Sequence, residues 1–426
     1  MLNRRSYILG HILNRAESYL KADLRYFIGS GFWLTVGQVA GIVASFALSV
    51  AFANLVSKEV FGTYKYIQSA YGLIALFVLP GLATATTRSV SRSFDGTVLR
   101  SFKYKIYYSL IASVFSLGAT VYYIVHDNPT LGIAFLIIAI CLPLIEATNL
   151  YTTVLEGKKL FRTETILNII STLILTLSLV AALYWSKNVI VLILTYFVVI
   201  ALTRFICFLF TLKYYISNRE TDPDMGEYAR NLTWFQIFSS VTQYVDKLIL
   251  FTLLGPAQVA IYTFAQAMPD RLKSLFRIIV PLSFPKYSIR TPEEIRHGFV
   301  KKILFLTGAA GLSILAYIIL APFIFHYLFP NYESSVILSQ IIAVTGIFVI
   351  TYPTSSLLTA HQKIRELFII SGTSTVLGLA VMLATVPTLG IWGAVIGLSV
   401  NRLATLILSF YFIYQIYFRP KANQVA

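Results

Sequence analysis

About twelve apolar runs of some 20 residues each, separated by short polar segments, constrain this chain more than any other feature. A run of that length is what a helix needs to cross a hydrocarbon core about 30 Å thick. The runs begin near Phe27, Ile67, Ile106, Leu131, Thr165 and Asn188, and again near Leu232, Ala257, Ile303, Ser334, Leu367 and Gly390. Lipid offers the backbone no hydrogen-bond partner, so each run must satisfy its own N–H and C=O groups and is read as a helix. The expected fold class is all-α, a polytopic membrane protein of about twelve transmembrane helices. Composition agrees: 57% of the 426 residues are hydrophobic and 12% charged, too few to cover a water-soluble surface of this size.

Net charge is +16, which on a soluble protein would suggest nucleic acid. Its layout says otherwise. With the amino terminus in the cytoplasm, 25 of the 34 Lys and Arg residues fall in cytoplasmic segments, while the opposite loops hold only Lys58, Lys65 and Lys187. This positive-inside bias fixes an orientation with both termini cytoplasmic and accounts for the basicity without nucleic acid. Cys141 and Cys207 lie inside apolar runs, giving neither a disulfide framework nor metal-ligand spacing. No removable signal peptide is read before the first run, which serves as its own insertion signal.

Residues 1–28 place Ile8, Leu9, Ile12, Leu13, Ala16, Tyr19, Leu20 and Leu24 at helical spacing opposite Arg15, Glu17, Lys21, Asp23 and Arg25. That pattern predicts an amphipathic helix on the cytoplasmic surface, or an extension of the first span. The two halves repeat. Leu34-Thr35 and Gln38 match Leu232-Thr233 and Gln236, Leu55 matches Leu253, Tyr64 matches Tyr262, and Arg204 matches Arg402, all 198 positions apart. Six spans per half leave both copies in the same orientation, a parallel repeat with a site expected between the bundles. The expected organisation is a six-helix bundle over 29–214, a cytoplasmic linker over 215–231, a second bundle over 232–418 and a cytoplasmic tail over 419–426.

Ionisable residues inside spans carry the functional signal: Glu146, Arg204, Asp246, Lys247, Asp270, Arg271, Lys273, Arg277 and Arg402. Each costs about 2.5 to 3.5 kcal/mol at a helix centre on the insertion scale, so none is expected to face lipid. In the eighth span Tyr262, Gln266, Asp270, Lys273 and Arg277 gather within an arc of about 80° at helical periodicity, with Arg271 off that stripe. In the seventh, Gln236, Ser240, Gln243 and Lys247 share an arc of about 60°. Two readings stand. The six bases line an anion-binding cavity, or they neutralise Asp246, Asp270 and Glu146 in helix-to-helix pairs. The excess of bases over acids favours the cavity. Glu146 reads either as a proton- or sodium-coupling acid or as a packing carboxylate. The pairs Gly37/Gly41 and Gly393/Gly397 predict close helix contacts, and Pro80, Pro143, Pro269 and Pro281 predict kinks.

Val245-Asp246-Lys247-Leu248-Ile249-Leu250, then Leu253-Leu254-Gly255-Pro256 and Tyr262, resemble the seventh-to-eighth helix pattern of the bacterial polysaccharide-biosynthesis (O-antigen) flippases, within the multidrug/oligosaccharidyl-lipid/polysaccharide exporter superfamily. Glu59, Phe61-Gly62 and Tyr64, and Leu389-Gly390-Ile391 with Gly393-Ala394, are similar to the same family, and the likeness covers nearly the whole chain. The resemblance implies two six-helix bundles around a central cavity. It implies alternating access acting on a polyprenyl-diphosphate-linked oligosaccharide, such as an O-antigen unit of lipopolysaccharide biosynthesis, moved to the periplasmic leaflet of the inner membrane. Carried over, Lys247, Lys273, Arg277, Arg204 and Arg402 would hold the diphosphate or acidic sugars, with Gln236 and Gln243 bonding sugar hydroxyls. Asp246, Asp270 and Glu146 would balance charge or bind a coupling ion, H+ or Na+. It implies no cofactor, no metal and no nucleic acid; membrane lipids and other polysaccharide-assembly membrane proteins are the further partners.

A drug exporter of the same superfamily would want an acid-dominated cavity, which the basic excess opposes. A membrane glycan polymerase or ligase would want a sizeable periplasmic loop, whereas His126 to Thr130 and Gly255 to Gln258 are short. The five histidines lie at or outside span ends without nucleophile or zinc spacing. The chain is therefore not expected to be an enzyme.

Overall fold

The computed structural model describes residues 24–277, 292–361 and 363–418, and the regular structure there is all helical. The first half runs α1 (Leu24–Leu55), α2 (Lys58–Ala75), α3 (Gly81–Ser91), α4 (Thr97–Val125), α5 (Pro129–Thr148), α6 (Leu150–Gly157), α7 (Phe161–Trp185) and α8 (Val189–Tyr215). The second runs α9 (Met225–Ser240), α10 (Thr242–Leu254), α11 (Pro256–Arg277), α12 (Pro292–Leu328), α13 (Val336–Val344), α14 (Thr351–Ala360), α15 (Ile364–Leu389) and α16 (Ile391–Ile413). Short 3-10 turns flank α13 at Pro330–Ser335 and Thr345–Ile350, and a π-helical turn, Tyr414–Phe418, follows α16.

Polar residues between the apolar runs start these helices. Ser57 accepts from the Val60 amide at 3.4 Å to open α2, Asn128 from Leu131 at 3.1 Å to open α5, and Asn188 from Ile190 at 2.8 Å to open α8. Each cap takes up an amide that would otherwise lack a partner at the helix start. Gly255, at φ 85°, makes the one-residue turn between α10 and α11, a backbone shape that a side chain would strain.

Twelve spans were expected. Among the described residues nine helical stretches are individually long and apolar enough to cross a membrane, and α9 with α10, bent by 43°, makes a tenth if taken as one span. The other two expected spans are α2–α3 and α11. The first is broken between Ala75 and Gly81, with Pro80 at the start of α3, and the second concentrates Asp270, Arg271, Lys273 and Arg277 in its last turns. Both depart from simple apolar spans because they carry the polar interior of the molecule. The surface helix expected over 1–28 lies outside the described residues up to Asp23, as do Pro281 and the tail 419–426.

Within the first half α1 packs along α7, α4 along α5, and α5 against α8; within the second α15 packs along α16 and α11 against α13. Gly393 and Gly397 allow the α15–α16 approach: a Cβ on Gly393 would stand 2.5 Å from the Thr385 and Val386 backbone. Gly37 meets Thr165 in the same way, but nothing comes within 4 Å of a Cβ on Gly41, so only the first of that pair marks a tight contact. Phe115, Ile140, Leu177, Ile206, Leu312 and Val376 point outward and are exposed. An outer surface of that kind fits hydrocarbon rather than water, and the protein is a multi-pass membrane protein.

The halves meet through α2 and α3, which lie on α11, α10 and α9. A Cβ on Gly62 would fall 1.8 Å from the Pro256 carbonyl oxygen, so only glycine lets α2 and α11 come this close. Phe61 and Phe264 rings lie 4.7 Å apart, and Tyr66 stacks on Phe251 at 3.8 Å. Lipid tails are as apolar as these side chains, so such contacts act through close packing rather than through expulsion of water.

Candidate functional site

The polar faces of α10, α11 and α16 enclose a cavity of about 460 Å³, lined by Gln243, Asp246 and Lys247 from α10, Gln266, Asp270 and Lys273 from α11, and Asn401 and Arg402 from α16. A second cavity of about 240 Å³ opens toward the first bundle. Ser49 of α1, Lys65 of α2 and Arg271 of α11 line it, and it shares Lys247, Gln266, Asp270 and Ser274 with the first. Those four side chains form a common wall.

Asp246, on the larger cavity alone, anchors the lysine of that wall. It is buried, and it accepts from its neighbour's backbone amide, Lys247 N, at 2.7 Å and from Gln266 Nε2 at 3.4 Å. The Lys247 ammonium sits 3.2 and 3.3 Å from the two Asp246 oxygens and donates back to the Gln243 carbonyl at 3.4 Å. Arg402 approaches Asp270 at 3.5 Å, donates to the Ile342 carbonyl at 3.4 Å and also reaches the Thr345 hydroxyl. Lys65 donates to Gln68 Oε1 at 2.9 Å, with its ammonium 5.5 Å from the Phe61 ring centroid. Lys65, Lys247, Arg271, Lys273 and Arg402 thus face Asp246 and Asp270 across the two cavities, an excess of positive charge inside the membrane-spanning body.

Several expected site residues stand elsewhere. Arg204 donates to the Ile145 carbonyl at 3.4 Å in the first bundle and lines neither of these cavities. Glu146 is held there too, accepting from the Tyr71 hydroxyl at 2.8 Å and pairing with Lys105 at 3.1 Å, so it is part of a separate packed cluster. Gln236 bonds Thr84 Oγ1 of α3 at 3.3 Å, where the halves meet, and lines neither of these cavities. Tyr262, the first member of the α11 stripe, is fully buried, so the wet part of that stripe begins at Gln266. Arg271 was set off the stripe by the helical wheel, yet it lines the second cavity because α11 has cavities on two sides. The Arg277 side chain lies outside the described residues.

Lys65 and Lys105 were missed for one reason. Both were counted in loops because the spans were begun at the first apolar residue, Ile67 and Ile106. The helices start earlier, at Lys58 and Thr97, which places both lysines about two turns inside. Ser57, a favourable cap just before Lys58, was the available signal for the first.

A family model described as "Polysaccharide biosynthesis protein" matches residues 28–288. No curated protein matches the chain. Among solved structures, one described as the lipid II flippase MurJ in an inward closed conformation is similar with a TM-score of 0.68 at 14% identity, covering 91% of this chain and 87% of that one. An outward-facing multidrug resistance MATE family transporter of the MOP superfamily gives 0.58 at 14% identity, covering 91% and 94%. A MOP superfamily transporter from Pyrococcus furiosus, described as having a binding pocket of reverse polarity, gives 0.60 at 14% identity, covering 91% and 95%. Likeness at this identity shows a shared fold.

Proposed function

Because the chain belongs to the polysaccharide biosynthesis protein family, we propose that it is a flippase carrying a polyprenyl-diphosphate-linked oligosaccharide, an O-antigen-type unit, from the cytoplasmic to the periplasmic leaflet of a bacterial inner membrane. The observation that supports this most is the paired cavity with five bases against two acids. A diphosphate carries the complementary charge, and burying it beside fixed cations avoids the cost of leaving either in a low-dielectric interior alone. Lys65, Lys247 and Arg271 converge on the second cavity and suit the diphosphate. The larger cavity, with its amides and two carboxylates, suits sugar hydroxyls. Alternating access would move the bundles, 29–214 and 232–418, about the linker 215–231, with both termini in the cytoplasm.

This reading assigns the protein binding and movement, not bond making. Glu146 remains the candidate for a coupling ion, although its pairing with Lys105 and Tyr71 supports a packing role equally well. The test is reconstitution in liposomes with a labelled lipid-linked oligosaccharide, comparing wild type with the Lys65→Ala/Lys273→Ala double variant. Transfer between leaflets should slow about tenfold or more, the loss of about 1.4 kcal/mol in substrate interaction, with insertion preserved. Unchanged transfer would remove these bases from the mechanism. Conversion of the glycan into a longer product would favour the polymerase or ligase instead.

A further inference from the structure

A third cavity, of about 210 Å³, lies between α1 and α7 and shares no lining residue with the paired cavities. Its lining mixes apolar surface from Leu34, Gly37, Gly41 and Ile169 with polar side chains, Glu164, Thr165, Asn168 and Thr172 from α7 and Gln38 from α1. Glu164 is the only charged residue among them. It is 8% exposed, and among the described residues its carboxyl makes no hydrogen bond or ion pair, with Oε2 fully enclosed. A lone carboxylate in such a place calls for a cationic or protonated partner.

The site is cut to hold more than an ion. Among the described residues no three His, Cys, Asp or Glu side chains gather as metal ligands, and the volume greatly exceeds that of a single ion. Gly41 keeps it open, since nothing lies within 4 Å of where its Cβ would be. Two acceptors are left over, the Glu164 carboxylate and the carbonyl oxygen of Gln38, whose Nε2 donates to the Ser274 carbonyl at 3.1 Å. A primary ammonium offers three N–H donors for such a set.

Location names the source of that ammonium. Glu164 is the fourth residue of α7, about one turn in from the end that the charge layout places in the cytoplasm. Two residues before it the Arg162 guanidinium, exposed and outside the crevice lining, stands 5.3 Å over the Trp33 ring, and the Thr165 hydroxyl ties α7 to the Trp33 carbonyl at 3.2 Å. A tryptophan and an arginine at a helix end mark the headgroup level. Leu34 at the rim is exposed and apolar. We propose that this crevice binds the head group of an amine-bearing zwitterionic phospholipid, its ammonium on Glu164 and Gln38 and its phosphate on Arg162. The assignment is independent of what the paired cavities carry.

The test is native mass spectrometry of the purified full chain with equimolar phosphatidylethanolamine and phosphatidylcholine of identical acyl chains. Wild type should retain the ethanolamine lipid about tenfold over the choline lipid, whose quaternary nitrogen has no N–H to donate. Glu164→Gln should bring the ratio near one, and Arg162→Gln should lower retention of both lipids together. Thr195→Val on α8, outside the crevice and bonded to its own helix at the Val191 carbonyl, should keep the preference, serving as a folded control. Equal retention of the two lipids by wild type, or a preference that survives Glu164→Gln, overturns the proposal. Displacement of the lipid by millimolar free ethanolamine would make this a site for soluble amines and overturn the lipid assignment.

Discussion

Arg204 and Arg402 stand 198 residues apart and make the same bond, Nη1 to a backbone carbonyl 3.4 Å away, Ile145 in one bundle and Ile342 in the other. Among the described residues Arg402 also forms an ion pair, with Asp270 on a cavity wall, whereas Arg204 acts on the Glu146 carboxylate through charge without one. The repeat has kept a packing role in both copies and added a cavity role in one. Arg402→Gln should therefore slow leaflet-to-leaflet transfer about tenfold, whereas Arg204→Gln should change it less than about threefold while lowering thermal stability, each measured on reconstituted protein. Equal slowing by both variants would contradict this division.

At the end of the molecule expected to face the periplasm, two asparagines cross between the halves in opposite directions. Asn54 donates to the Leu328 carbonyl at 3.1 Å, and Asn331 to the Ala53 carbonyl at 3.0 Å. The Lys58 ammonium lies 5.6 Å from the Tyr332 ring centroid beside them. Removing two hydrogen bonds at about 0.5–1.5 kcal/mol each should shift the balance toward a mouth open on this side by roughly tenfold. In a Cys141→Ser/Cys207→Ser background, Asn54→Ala with Asn331→Ala should raise labelling of Ser49→Cys by a membrane-impermeant maleimide accordingly. Unaltered labelling would show that this clasp does not hold the mouth shut.

Gly62→Ala should cost about 1–3 kcal/mol, because its Cβ meets the Pro256 backbone and neither helix can move without the other. Gly41→Ala meets nothing within 4 Å and should be close to neutral. Thermal unfolding in detergent separates the two, and a Gly62→Ala protein as stable as wild type would mean that α2 and α11 have room to part.

The segment joining the halves is tied to the end of the first bundle expected to face the cytoplasm through Asp222, which accepts from the Ser89 hydroxyl at 2.8 Å and from the Asp224 amide at 3.0 Å. Burial alone would raise its carboxyl, but these two bonds and the Arg92 and Arg88 guanidiniums outweigh it and hold the group below its ordinary value. A lowered carboxyl stabilises the folded form above the ordinary aspartate value, near 3.9, and that contribution fades as pH falls through the lowered one. Wild type should thus protect the linker from proteolysis better than Asp222→Asn at pH 6. The difference should begin to narrow below the ordinary aspartate value and close only below the lowered one, in acid stability measurements. A gap that persists there would assign the docking to something other than this charge.

Much of the architecture was legible because a bilayer leaves so few options: an apolar run of the right length is a helix, and Lys and Arg counts orient it. Lys247, Lys273 and Asp270 were found in the same way, since an ionisable group in such a run has to face something polar. Arg204 shows where that rule stops. Its cost in lipid is as high as that of Arg402, but whether it meets the Ile145 carbonyl or a cavity depends on how helices distant in sequence come together. Lys65 and Lys105 were hidden by a boundary error of about two turns, and Arg271 by a wheel that allowed α11 a single wet face. Helix ends and the number of polar faces are set by caps and neighbours, which the apolar pattern does not carry.

Lys247 stands in the partition between two chambers, held by Asp246 on the wall of the larger. An anion entering the smaller one competes for the lysine with the aspartate that now holds it, and whatever it wins is charge withdrawn from the larger. Under the proposed function, occupancy of either compartment would in this way be registered by the other, so that a two-part cargo, negative at one end and neutral at the other, would be sensed as a whole through Lys247 and its aspartate.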